Sequence, residues 1–165
     1  GRIGFIKNQL SLLQALRGTD YPIVIAGQIT DQQYFQLCKQ EAKNRHVLFL
    51  PTLNRQDLAD AYAAARVHAL PSHKETVGLV SLEAGLYDCR LVSTTNGGGS
   101  EYLQDDAEYC QPDDLAEIRQ AVKRAGERPA NIRLADRIRT KYTWAAAAQQ
   151  TLAAYQAVLA SVRPT

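Results

Sequence analysis

Short apolar runs, each bounded by turn residues, alternate with stretches of helical spacing along most of this chain. The clearest are YPIVIAG at 21–27, HVLFL at 46–50 and VHAL at 67–70, followed by a run around 91–93 and a shorter one at 108–110. YPIVIAG is apolar at successive positions, so both of its faces need burial, which suits a parallel strand covered by helices on either side. The next two runs each stop at a proline, Pro51 and Pro71, which cannot donate to a sheet ladder.

The intervening segments carry apolar residues at helical spacing. Leu10, Leu12, Leu13 and Leu16 share 7–17, and Gly18 follows as a C-terminal stop. Tyr34, Phe35, Cys38 and Ala42 mark one side of 31–44. Asn54 is placed to cap a helix whose inner face is Leu58, Ala59 and Tyr62. A helix from about Gly78 is expected to turn Leu79, Leu82 and Leu86 inward, and one capped by Asp113 to do so through Leu115, Ile118 and Val122. The chain closes with 131–140 and an alanine-rich helix from about Trp144, expected to pack through Leu152, Tyr155 and Leu159. Repeated strand and helix in this order are βαβ units. The expected fold is therefore α/β, a doubly wound, Rossmann-like parallel sheet with right-handed crossovers. At 165 residues it forms one domain, and Gly1 opens in mid-pattern, which reads as a piece of something larger.

Composition narrows the function classes. The 19 basic and 17 acidic residues leave a net charge of +2, with no basic cluster interleaved with aromatics, which argues against nucleic acid as a partner. Cys38, Cys89 and Cys110 are far apart and odd in number, and read as buried thiols of a reducing, cytoplasmic compartment. There is no apolar run of about 20 residues, so any membrane contact would be peripheral. The G-x-G-x-x-G fingerprint, the P-loop and a D-x-D metal motif are all missing, and no metal is expected.

Ligands of an open parallel sheet bind beyond the carboxyl ends of its strands, where helix N-termini point N–H groups outward. Residues 71–101 supply such an end, with Glu75 and Glu83 bracketing a helix start at Gly78 and a glycine run, Gly97 to Gly99, after the next strand. The amides of Gly78 and Leu79 suit a phosphate, and the two acids suit sugar and ribose hydroxyls. Spacing alone favours Glu75 as a first-turn acid suited to the helix dipole and Glu83 as a solvated residue. Glu83, beside Leu82, is expected near the inner face, where an unpaired carboxylate is costly. Arg2 and Lys7 flank the first turn and offer two cations to a diphosphate, or are simply solvated. The glycine run reads either as a backbone anion loop or as a flexible turn. His73 reads as a lone surface histidine, and His46 and His68 as structural strand residues.

The order GR-x4-K, a strand ending in glycine, PS-x2-E-x7-EA, then a strand and GG-x2-E, with a late YTW before a helix, resembles the C-terminal, donor-binding domain of a GT-B fold retaining glycosyltransferase of the group 1, family 4 type. The resemblance implies that Arg2 and Lys7 hold a nucleotide diphosphate, that Glu75 faces the donor sugar and that Glu83 binds ribose. It also implies that Thr52 and Leu53 meet the base, that Gly78 and Leu79 offer amides to sugar and phosphate, and that Gly97 and Gly98 lie near the donor. The implied donor is a UDP-sugar, most simply UDP-glucose or another UDP-hexose, bound without metal. Transfer would be to a polysaccharide or glycolipid acceptor held by an N-terminal domain that this chain lacks, so the isolated domain would be inactive or nearly so. A non-catalytic nucleotide-sugar-binding module of the same fold is the alternative. Two places depart from the family pattern: Asp88 and Arg90 stand where glycine and proline are usual, and Pro51 stands where glycine is common.

Overall fold

The computed structural model describes residues 1–129 and 132–162. Five strands form, β1 (Ile23–Ala26), β2 (Val47–Leu50), β3 (Val67–Leu70), β4 (Arg90–Thr94) and β5 (Ala107–Cys110), all at or within two residues of the runs read from the sequence. Every pairing among them is parallel. β1 pairs with β2, and β3, β4 and β5 pair in that order. The chain start lies along the continuation of β1: the Gly1 amine donates to the Ala26 carbonyl at 2.9 Å, and Ile3 bridges Ile29 in parallel.

Helices cover both faces. α1 (Gln9–Ala15), α2 (Gln32–Glu41) and α6 (Leu115–Glu127) enclose one cluster with Leu13, Ile23, Ile25, Val92 and Ile118. α3 (Arg55–Ala64), α4 (Leu79–Leu86), α5 (Gly99–Leu103) and α7 (Ile132–Lys141) enclose the other with Tyr62, Leu82, Leu91, Leu103 and Leu134. Adjacent β4 residues, Leu91 and Val92, fall in opposite clusters and are 1% and 0% exposed, the direct mark of a doubly wound layer. Cys38, Cys89 and Cys110 are buried free thiols, as the sequence suggests.

Several local expectations are corrected. α6 is capped by Asp114, whose carboxylate accepts from the Glu117 amide, one residue beyond the expected cap, and Leu115 is exposed while Ala121 and Ala125 join Ile118 and Val122 inside. In α4, Leu79 is exposed and Ser81, Ala84 and Gly85 are buried with Leu82. A β-carbon on Gly85 would sit 2.9 Å from Ile138 Cδ1 and 3.2 Å from Leu134 Cδ2, so α7 packs closely on α4 there and a larger residue would make these side chains shift. α5 has no counterpart in the sequence reading, because two glycines at its start hide its helical character. The expected helix start at Asn131 falls outside the described residues. α8 (Trp144–Val162) carries no charged residue, yet Leu152, Tyr155 and Leu159 are 56%, 66% and 69% exposed. It forms as expected but does not pack through them, since no described element covers that side.

Candidate functional site

The site is assembled from segments that follow strands. The 3₁₀ turn Phe5–Lys7 and Asn8 come first. Asn8 adopts a left-handed φ of 59°, a conformation asparagine tolerates, and is 2% exposed. Its side-chain amide donates to the carbonyls of Pro71 at 2.9 Å and Pro112 at 2.7 Å. One buried residue thus ties the turn bearing Lys7 to the ends of β3 and β5. The backbone adds a further tie, from the His73 N–H to the Ile6 carbonyl.

Lys7 and Glu75, read separately as diphosphate and sugar ligands, meet directly. Lys7 Nζ donates to Glu75 Oε2 at 2.5 Å, with side chains only 20% and 9% exposed. The Gly78 N–H donates to Glu75 Oε1 at 3.2 Å, and Ser72 Oγ lies 3.4 Å from Oε2. The Gly78 amide is therefore engaged by Glu75, leaving the next amides of the α4 N-terminus, beginning with Leu79, outside the intrahelical ladder. Gly78 itself is left-handed, with φ 61°, and a β-carbon there would lie 3.2 Å from the Tyr102 hydroxyl and 3.3 Å from Glu75 Cγ. Burial, and then the charge of Glu75, push the Tyr102 phenol up to about 12.

The glycine run is neither a loose turn nor a free loop. Gly97 bridges Glu75 in parallel, the Glu75 N–H donates to the Asn96 carbonyl, and the Gly98 N–H donates to the Glu75 carbonyl. A β-carbon on Gly97 would fall 1.8 Å from the Glu75 carbonyl oxygen, and one on Gly98 2.8 Å from that of Thr76. These glycines let two backbones touch, and the contact fixes the loop that holds Glu75.

A cavity of about 230 Å³ lies beside this end, lined by Gly1, Arg2, Gly27, Thr52, Leu53 and Leu58 among others. It brings Arg2 together with Thr52 and Leu53. Glu83 is not among its lining residues, and the Gly1 amine that is has its pKa lowered by burial and then by Lys7, while the Glu83 charge pulls it the other way. Glu83 is exposed rather than near the inner face, because it stands between the buried Leu82 and Ala84 on the outward side of α4. Its carboxylate accepts a long, 3.5 Å hydrogen bond from the Tyr62 hydroxyl, and burial together with the Glu83 charge raises the Tyr62 pKa. A larger cavity, about 600 Å³, lies at the opposite, amino-terminal end of the strands by Arg17, Glu41 and His46, away from the strand ends where such sheets bind ligands.

His73 is not a lone surface residue: its ring stacks on Phe5 at 4.5 Å and its Nδ1 is 3.4 Å from Asp113. His68 is structural, and burial, then the nearby amine and Lys7, lower its pKa to about 4. Asp88 resolves the first departure from the family pattern. It takes a left-handed φ of 64°, so the helix-to-strand turn keeps a glycine-like geometry, and Arg90 Nη1 donates to its carbonyl at 2.9 Å. Sequence reasoning missed Asn8 and Tyr102. Only Asn8 carried a signal, as a turn-type residue directly after a candidate cation. Among the described residues no cluster of three or more His, Cys, Asp or Glu is arranged to hold a metal, and no helix is long and apolar enough to cross a membrane.

Residues 1–141 match the family model described as glycosyl transferases group 1. The chain belongs to that family. D-rhamnosyltransferase WbpZ of Pseudomonas aeruginosa is 31% identical over 136 residues, covering 78% of this group 1 chain and 35% of the relative. The chain spans about a third of the length of the curated relatives it matches. The solved C-terminal domain of the group 1 protein LpcC from Francisella tularensis superposes with a TM-score of 0.69 at 22% identity, covering 87% of this chain and 84% of that one. Anabaena HepE, solved with UDP-glucose, superposes with a TM-score of 0.68 at 24% identity over 77% of this chain and 37% of its own. These likenesses identify the fold as the Rossmann-like half of a GT-B glycosyltransferase.

Proposed function

We propose that this chain is the donor-binding half of a retaining glycosyltransferase that uses a UDP-hexose, and that its acceptor is held by a second, N-terminal domain. The observation that carries the reading is the convergence of Arg2, Thr52 and Leu53 on one cavity, with Lys7, Glu75 and the α4 N-terminus clustered at the same ends of the strands. HepE, of the same fold, is a protein solved with UDP-glucose, with UDP and glucose, and with UDP.

In this reading the base sits against the backbone of Thr52 and Leu53, and Glu83 takes the ribose hydroxyls. The diphosphate meets Arg2, Lys7 and the first free amides of α4. Glycosyl transfer breaks the bond from the anomeric carbon to the diphosphate oxygen, which keeps the electron pair. Two cations and a helix N-terminus stabilise that developing charge, with no step that requires a metal. The acceptor hydroxyl bonds to the anomeric carbon and gives up its proton to the departing diphosphate oxygen. Glu75, already held by Lys7, Ser72 and the Gly78 amide, acts as a positioning group for the sugar rather than as an attacking nucleophile.

Calorimetric titration with UDP-glucose, UDP-galactose and UDP tests the reading. Saturable one-to-one binding is expected, weakened about tenfold in Glu83→Ala through loss of the charged acceptor for ribose hydroxyls. Absence of heat at millimolar nucleotide, or wild-type affinity in Glu83→Ala, would remove its support.

A further inference from the structure

We infer that the Lys7–Glu75 ion pair is a closure that the diphosphate has to open, and that it makes Glu75 a discriminator between a nucleotide sugar and the sugar-free nucleoside diphosphate. The inference rests on the donor-site reading above and deepens it. Its starting point is that two groups assigned to different parts of one ligand are bonded to each other at 2.5 Å.

A diphosphate and the Glu75 carboxylate are both anions, and Lys7 is a single cation between them. When the diphosphate draws Lys7 away, Glu75 stays where it is. Its loop is pinned by the backbone contacts to Asn96, Gly97 and Gly98, and its own oxygens by the Gly78 amide and Ser72. What the carboxylate loses is its counter-ion, in a place where only 8% of the residue meets solvent. A shielded carboxylate without a counter-ion is costly, and it faces a ligand of its own sign.

The two ligands differ in what they return. A nucleotide sugar brings hydroxyl donors to the carboxylate, replacing the bond that Lys7 gave. A bare nucleoside diphosphate brings none. Donor is therefore held against this electrostatic cost while the spent nucleotide is pushed out by it, so one pair of side chains favours capture of substrate and release of product. Lys7 and Glu75 lie 68 positions apart in the chain, and Asn8 and the His73 N–H to Ile6 carbonyl bond anchor the turn of one to the strand end preceding the other.

The test is Glu75→Gln, which keeps the side chain's size and an oxygen for the Gly78 amide but removes the charge. Affinity for UDP, by calorimetry, is expected to rise about tenfold, since a like charge facing the diphosphate is removed and Lys7 is released from its pair. Affinity for UDP-glucose is expected to rise less or to fall, so that the ratio of the two affinities drops. Unchanged or weaker UDP binding by a folded Glu75→Gln protein overturns the inference. An unfolded variant is answered by crystals of the wild type with UDP, in which Lys7 Nζ is expected more than about 4 Å from Glu75 Oε2; an intact pair beside bound UDP overturns it. If wild type binds UDP and UDP-glucose and only the ratio fails to move, this inference falls and the donor-site reading stands. If wild type binds neither, both fall.

Discussion

Replacing Gly97 with alanine isolates the contact on which the position of Glu75 depends. The added β-carbon would lie 1.8 Å from the Glu75 carbonyl oxygen and 2.8 Å from its carbonyl carbon. Both are backbone atoms that cannot rotate away. One loop must therefore move, and the movement breaks the bonds from the Glu75 N–H to Asn96 and from the Gly98 N–H to Glu75. Each is worth roughly 1 kcal/mol, and the backbone angle at Gly97, φ 156°, adds about 1 kcal/mol for a residue with a side chain. The total is about 3 kcal/mol, a fall of roughly 6–12 °C in Tm for a domain of this size. Gly126→Ala is the paired control. In α6 its β-carbon would meet nothing closer than Val67 Cγ2 at 3.9 Å, and removal of a helix-interior glycine should add up to about 1 kcal/mol. Calorimetric melts of both variants decide the matter. Opposite shifts support the account, whereas a Gly97→Ala protein that melts with wild type would refute the claim that the glycine run exists for backbone contact.

Other outcomes follow from single residues. Asn8→Ala strips a donor from two carbonyls and places alanine in a left-handed conformation, so a loss of about 3 kcal/mol is expected in urea melts; wild-type stability would contradict it. His68 is neutral in the folded chain down to about pH 4, while in the unfolded chain it binds a proton below about pH 6.5. Stability should therefore be full above pH 6.5 and fall as pH drops towards 4, by up to about 3 kcal/mol, and His68→Gln should flatten that part of the profile. An equal slope in both proteins would assign the loss to other groups. Arg2→Ala should weaken UDP binding and reduce its salt dependence, since a cation that serves the diphosphate is screened by salt; an unchanged salt slope would place Arg2 outside the site.

The strands were legible because a parallel layer covered on both sides demands apolar runs, and Pro51, Pro71 and Gly27 marked where they end. Their carboxyl ends then named the site region without further information. What periodicity misread lies at helix ends and open faces. Leu79 and Leu115 are the first residues of α4 and α6 and are exposed there, so inward spacing did not mean burial. α8 has the composition of a buried helix, but its apolar residues meet no described partner. The Lys7–Glu75 pair was beyond reach, because nothing local to either residue reports on a neighbour 68 positions away. The glycine run was ambiguous for the same reason: its purpose is set by the loop it touches, not by its own sequence.

A crystal structure of the protein with UDP-glucose tests the central claim most directly. The account places uracil in the cavity bounded by Arg2, Thr52 and Leu53, the ribose hydroxyls on Glu83, the diphosphate on Lys7 and the N-terminal amides of α4, and the hexose at Glu75. Nucleotide density at the opposite end of the strands, in the cavity by Arg17, Glu41 and His46, would contradict it.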